Sequence, residues 1–545
     1  TDSIMIGDTT TGTIDAANFN VGLGVNVFAA LTSGDDNVAV GYGALTANTT
    51  GSDNVAIGKV ALDANTTASN NTAVGNASMT ANTTGASNTA VGSSSLNANT
   101  VGSSNVAIGH DSLTTNIGGN RVTAIGASAF NALNHASSTN NYGVAIGFEA
   151  GRLVTTGLQN TIIGGQSGYD LTTGSRNVAV GYAALYDATT SSDNTAVGAN
   201  TLQLNTTGTY NVALGTYALD ANTTASNNTA VGYLALSANT TGAGLTAVGR
   251  SALLLNTTGY SNVAVGDYAL DANTTGHWNV GIGTFSLSQN TTRNSNTAVG
   301  NDTLASSTSG EQNTAIGYQS ARQLTTGSSN VSVGMASLDS NTTGHSNTAL
   351  GRSAGAAQTT GSLNTYVGHS AGSTHNVGNY SIFIGYSSQP SSAGANEIVI
   401  GANATGKGNN TGYIYPPGGG NMYQASNLTT WSTVSDERIK KNIEDNNVGL
   451  NAINQIRVRN FEYRTEDEIV DFDNPSSAVV NKEGIQLGVI AQEIETILPE
   501  IITTESTGVK TVNTDNLTWY LVNAVKELST TVDELKSELL ALKGE

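Results

Sequence analysis

The chain has 545 residues, no cysteine, 64 glycines and a net charge of −20. Without cysteine there are no disulfides and no thiolate chemistry, and the acidic balance argues against nucleic acid, which demands clustered Lys and Arg. No apolar run approaches the ~18 residues of a membrane-spanning helix, and nothing in the sequence asks for a metal or another cofactor. The chain opens on Thr1 with no signal-peptide pattern, so it reads as starting inside a longer product. Charge is unevenly spread: residues 432–545 hold 32 of the 60 charged side chains, leaving 28 for the 431 residues before them. Two kinds of protein are joined end to end.

The first kind is a repeat. The phrase N-(T/V)-A-(V/I)-G-x-x-x-L-x-x-N-T-T-G-x-x recurs every 17 residues, its first glycine falling at Gly41, Gly58, Gly75 and onward. One 21-residue step separates Gly126 from Gly147, and one 16-residue step ends at Gly401; counting back to Gly7 gives 24 copies. A fixed period of this kind signals a solenoid whose units are completed by their neighbours. In NVAVG, Val38 and Val40 share one face of a short strand and are expected to point to the core, with Ala39 turned to the other side. Leu45 supplies a second core point, and Asn48 a corner where an amide can bond backbone or adopt a left-handed conformation. The stretch around Leu45 fits either a second strand or one helical turn. Stacked at about 4.8 Å, 24 coils make a rod on the order of 115 Å long. So thin a coil buries little, and association is expected to supply the rest. The N-T-T triplets match glycosylation sequons, but their regularity is better explained by stacked ladders.

The phrase resembles the NSVAIG-type repeats in the β-roll heads of trimeric autotransporter adhesins, although those are usually shorter, and the repeats of bacteriophage and phage-like fibres. The resemblance implies a mainly β, trimeric β-solenoid rod over residues 1–401. The four extra residues before Gly147 predict a surface loop carrying His135, Asn140, Asn141 and Tyr142, a candidate receptor contact whose plainer reading is a tolerated insertion. Residues 402–434 read as an irregular neck or tip. There Tyr413, Tyr415, Tyr423 and Trp431 suit either sugar stacking or packing at a trimer axis.

The second kind, 435–545, reads as a small α+β domain ending in a long helix over 517–543. Leu521, Val525, Leu528, Val532, Leu535, Leu539 and Leu542 are spaced 4, 3, 4, 3, 4 and 3 apart, an a/d seam that asks for partner helices; its plainer alternative is one amphipathic helix packed on its own domain. By spacing alone, SDERIKK is a helix start with Ser435 as cap and Asp436 and Glu437 in the first turn. SDERIKKNI, NFEYR, GVIAQEIETILPEII and VKTVNTDNLTWYLVNAVKEL occur in that order, and together they resemble the intramolecular chaperone and auto-processing domain of endosialidase-type phage tailspikes and fibres. The resemblance spans nearly all of 432–545. One departure is Thr514, where members of that family often carry an aromatic residue.

That resemblance implies a chaperone that helps three chains align and then cuts itself off. Ser435 would be the nucleophile and Lys440 its base, with the scissile bond at Val434–Ser435; some members are cut after the serine instead. A serine hydroxyl needs a base to remove its proton, and a lysine serves only when neutral, a state that burial or nearby positive charge favours. Lys441 and Arg438 are candidates for that charge, while Asp436 and Glu437 would oppose it or orient partners. The expected protein is a homotrimeric fibre of a phage or phage-like particle, assembled in host cytoplasm and carried on the virion through an attachment protein at a missing amino terminus. It would bind a host-surface receptor, glycan among the candidates, with self-cleavage its one reaction. The alternatives are a polysaccharide-degrading tailspike, for which Asp35–Asp36 and the LDAN aspartates Asp63, Asp220 and Asp271 are weak candidate carboxylates, and a bacterial trimeric surface adhesin.

Overall fold

The computed structural model describes residues 3–7, 16–416, 422–424, 437, 440–469, 480, 482–504 and 508–544. The chain divides into two compact units, Thr1–Val434 and Ser435–Glu545.

The first unit is a β-solenoid of about 24 coils. Each coil contributes one three-residue strand, as at Val38–Val40, Val55–Ile57 and Thr72–Val74. Neighbouring strands pair in parallel with no slip, Val38 with Val55 and Val55 with Thr72. The 21-residue step keeps the same register, Val144 pairing with Thr123, as does the 16-residue step, Ile382 pairing with Ile398. Beyond Glu397–Ile400 and Thr411–Ile414 the direction reverses: Thr411–Ile414 pairs antiparallel with Met422–Gln424, Tyr413 opposite Tyr423.

The strands face the other way from the expectation. Ala39, Ala56 and Ala73 are fully buried, while Val38 and Val40 lie half-exposed on the outside. The reason is space. A coil this narrow fills its interior with Ala39, Ala44, Leu45, Asn37 and Asn48, all fully buried, and a larger strand centre would collide with the leucine. Where the strand centre is large, the leucine is gone. Tyr366 is buried beside Gly355 and Gly372, where an added Cβ would lie 2.9 and 2.4 Å from its ring. Ile162 likewise lies against Gly168, while Phe130, which itself fills a leucine slot, packs against Gly143 and Gly151.

The stretch around Leu45 is neither strand nor helical turn. Left-handed residues recur through it, Leu45 at φ 52°, Val60 at 52° and Leu62 at 52°. Each such residue carries a steric cost. Hydrogen bonds to both neighbouring coils offset it: the Leu45 N–H donates to Ala61 O at 3.1 Å, and the Val60 N–H to Tyr42 O at 2.8 Å. Backbone polar groups are thus satisfied along the rod axis. Asn48 is not among the left-handed residues; Asp36 (φ 56°), at the preceding corner, is. The glycine closing NxAVG is obligatory in all 24 coils. Its φ lies between 124° at Gly283 and 143° at Gly24, and a Cβ on Gly75 would sit 2.3 Å from Gly92 O.

Two buried asparagine ladders run along the coil stack in stretches, broken where Val122 or Leu245 takes a slot of the first and Val154, Leu171 or Leu324 a slot of the second. In one, Asn37 Nδ2 donates to Asn20 Oδ1 and to Gly51 O, at 3.0 and 2.9 Å. In the other, Asn65 Nδ2 donates to Asn48 Oδ1 and to Ala68 O, both at 3.0 Å. Stacked amides of this kind satisfy donors and acceptors from coil to coil. Threonine forms a third ladder, Thr49 Oγ1 donating to Thr66 O at 3.0 Å.

Among the described residues the second unit has three α-helices, α1 (Leu450–Gln455), α2 (Ala491–Glu495) and α3 (Thr514–Leu542). Two short antiparallel pairs accompany them, Arg459–Phe461 with Gln486–Gly488 and Ile502–Thr504 with Lys510–Val512. Asn513 caps α3, its side chain accepting from the Asp515 and Asn516 amides. The core is small: Ala452, Ile494, Leu498, Ile501 and Tyr520 are buried together, with Ile453 and Leu517 packed against them.

Candidate functional site

Ser435, with Val434, Asp436 and Arg438, lies outside the described residues, as does Trp431. Of the charged run, Glu437, Lys440 and Lys441 are described, all exposed, and the Lys440 N–H donates to Glu437 O at 3.0 Å. Glu437 sits in a 3-10 turn, and Lys440–Gly449 carries no helix before α1 at Leu450. The helix that a cap at Ser435 would begin therefore does not run through these residues.

Asn446–Leu450, further along the chain, is tied down. Asn523 Nδ2 on α3 donates to Asn446 O at 2.6 Å and to Val448 O at 3.3 Å. The Leu450 N–H donates to Glu527 Oε2 at 2.8 Å. Elsewhere in the unit Arg459 holds Glu493 by two hydrogen bonds, 3.2 and 2.5 Å, which lower the glutamate's pKa. Tyr520 donates to Glu500 at 2.5 Å; that bond, with burial, raises the tyrosine's pKa. Lys510 pairs with Glu495. The two ion pairs hold α2 onto the strands, and the Tyr520–Glu500 bond ties α3 to the 3-10 turn Pro499–Ile501.

The seam of α3 is open. Leu521, Val525, Leu528, Val532, Leu535, Leu539 and Leu542 are all exposed, from 40% at Val532 to 85% at Leu542. The reading in which this helix packs its stripe on its own domain fails for these seven residues: only its first turns, at Tyr520 and Ala524, are buried.

On the rod, the 21-residue coil is closed by a two-residue parallel pair, Gly119–Asn120 with Thr139–Asn140. Asn140 and Tyr142 face outward, and Tyr142 accepts a hydrogen bond from Arg121 at 2.7 Å. His135 does not join them. It is 8% exposed and bonds the Asn141 amide at 3.0 Å, so it lines the coil interior, and burial lowers its pKa. Near the rod's carboxyl end Tyr413 is buried against Tyr415 and Tyr423, with Tyr415 partly exposed.

Two features there gave no signal in the repeat. Glu397 occupies a ladder-asparagine slot at 1% exposure, its carboxylate accepting from the Ser391 and Gly408 amides at 2.8 and 2.6 Å. His375 replaces the other ladder asparagine and bonds the Tyr366 hydroxyl at 2.8 Å. Both cap ladders whose regular partners have run out. The LDAN aspartates are scattered along the stack rather than paired. Each of Asp63, Asp220 and Asp271 keeps one oxygen buried without a hydrogen-bond partner, and burial raises each carboxyl's pKa.

Residues 435–503 match a family model described as chaperone of endosialidase. No curated protein and no solved structure matches the chain. The family match begins at the residue where the second compact unit begins. A chaperone-of-endosialidase segment behind a β-solenoid of about 24 coils fits a fibre- or tailspike-like protein.

Proposed function

We propose that the chain is a homotrimeric, receptor-binding fibre of a phage or phage-like particle, whose carboxyl-terminal unit directs assembly and then removes itself. The observation that carries this reading is the coincidence at Ser435: the solenoid unit ends at Val434, and the family match and the second unit start one residue later.

Ser435 Oγ attacks the Val434 carbonyl carbon while Lys440, as the neutral amine, takes the hydroxyl proton. The Val434–Ser435 amide bond breaks and an ester to Oγ forms, the proton passing to the departing Ser435 amine. Water then adds to the ester, leaving the Val434 carboxylate and a free serine hydroxyl.

Two surfaces favour three chains over one. In the main parallel sheet from Ile4 to Ile400 the outward strand positions are Val, Ile, Leu or Thr, with no charge among them. Two such columns over ~24 coils form an uncharged strip of about 1,000 Å², one column aliphatic and the other mixed with threonine, near the ~800 Å² per partner of a stable interface. The open seam of α3 is the second surface, suited to a coiled coil. Receptor contact falls to outward groups such as Asn140, Tyr142 and Tyr415.

The test is intact mass and sedimentation of the full chain beside Ser435→Ala and Lys440→Ala. Fragments meeting at 434/435 in the wild type alone, with trimers in all three, support the proposal. A wild type that stays whole and monomeric sinks it.

A further inference from the structure

Helix α3 has two working sides. At 100° per residue, Asn523 and Glu527 lie together, turned well away from Leu521, Val525 and Leu528 of the seam. This second side grips Asn446–Leu450 through Asn446 O, Val448 O and the Leu450 N–H. Gly449 lets the strand-like segment lie flat on the helix: a Cβ there would sit 2.5 Å from Glu527 Oε1 and 3.0 Å from the Ala524 nitrogen. Val448 N–H donates to Asn446 Oδ1 at 2.8 Å, shaping the turn so that both carbonyls meet one amide. The gripped segment starts six residues after Lys440, at most ~20 Å of chain.

We infer that Asn523 and Glu527 are positioning residues for self-cleavage. They fix the point from which the chain runs back to Lys440 and Ser435, and they do so only when α3 is helical as far as Glu527, inside the seam. Cutting therefore waits on the helix that partner chains would complete. The inference rests on the self-cleavage proposed above. It asks something different of the molecule, namely that residues some ninety positions away set the rate.

The experiment compares full-length wild type with Glu527→Ala, Glu527→Gln, Asn523→Ala and Gly449→Ala. It follows cleavage by intact mass, helix content by circular dichroism, and exchange of the Leu450 amide in a Ser435→Ala background. The expected result is at least fivefold slower cutting in both alanine variants of α3, at unchanged helix content, with faster Leu450 exchange in Glu527→Ala. Glu527→Gln, whose amide oxygen still accepts from Leu450, stays within twofold of wild type. Gly449→Ala, which pushes the segment off α3 while leaving the helix's own sequence intact, slows cutting to the same extent and guards against a misfolded helix. Wild-type rates in Glu527→Ala and Gly449→Ala overturn this inference alone. A wild type that never splits overturns the self-cleavage reading with it. Equal slowing by Gln and Ala also counts against it, since a clamp made by an acceptor atom must tolerate glutamine.

Discussion

The rod and the carboxyl-terminal unit solve opposite problems. In the rod each coil is completed by the coils above and below, through ladders such as Asn37–Asn54 and Thr49–Thr66, so stability accumulates along the axis. The second unit has no repetition to lean on. Among the described residues its core cluster has five buried side chains, and its longest helix leaves a seven-residue apolar seam in solvent. The part with varied, informative sequence is the part least complete as a single chain. A shape that is easy to extend is hard to align, and a small unit that needs partners is a natural aligner.

The comparison is sharpest at the glycine ladder. Gly92→Ala puts a Cβ 2.4 Å from Gly109 O at φ 140°, so a loss of at least ~3 kcal/mol is expected from strain and backbone collision together. Hydrogen exchange should show the coils on both sides of residue 92 opening while the second unit is unaffected. Exchange that rises in the second unit as well would mean that the two parts are not independent.

The rod also carries register marks, where volume is exchanged between a strand centre and the leucine slot. Gly372→Leu restores the common residue but drives a Cβ to 2.4 Å from the Tyr366 ring, an overpacking cost of about 1–3 kcal/mol. Tyr366→Ala alone should cost about 3–5 kcal/mol by leaving a cavity. The double variant should cost less than the sum by ~1–3 kcal/mol, read from thermal unfolding. Additive losses would show that the two side chains do not share one space.

Association is the next lever. Leu535→Glu places a charge in the open seam and should raise the concentration for half-assembly about tenfold or more in sedimentation, with the solenoid's strand signal unchanged. An unaltered assembly would exclude the seam as the contact.

The smallest expected effect is a gain. At the slot of Asp63, Asn97 Nδ2 donates to Ala77 O at 3.0 Å and Thr46 Oγ1 to Asn26 O at 3.2 Å, each twenty residues back. An ionised Asp63 cannot donate, and burial raises its pKa. Its folded-state pKa is above the unfolded one, so its contribution is present at acid pH and lost as pH rises through the folded value. Asp63→Asn should therefore stabilise by about 0.5–1.5 kcal/mol at pH 7 and by less near pH 3, measured as the difference in unfolding midpoint.

Much of this was legible in advance, for reasons visible in particular residues. The 17-residue spacing of Gly41, Gly58 and Gly75 announces a solenoid because only glycine tolerates that φ with a carbonyl so close. Leu45 and Asn48 were readable as core and corner. The facing of Val38 and Ala39 was not, since an alternation of two apolar residues does not say which side is narrow; that depends on the leucine across the coil. The interior place of His135 was hidden for a similar reason: only the closed coil turns a loop histidine inward onto Asn141. At the other end, the seam of α3 was plain from its 4–3 spacing, while the grip of Asn523 and Glu527 on Asn446–Leu450 joins residues some seventy-five positions apart with no pattern linking them.

What the sequence determined by itself is the period, the coil count, the break between the sparsely charged rod and the densely charged unit, and the family of the segment from Ser435. Those follow from local repetition and from motif order, which need no partner in space. What only the tertiary structure decided is which side of each strand is inside, where volume is exchanged between Tyr366 and Gly372, and which helix side holds the chain after Lys440. Those depend on distances across the coil and across the domain, and close packing makes a contact specific only once both surfaces are present.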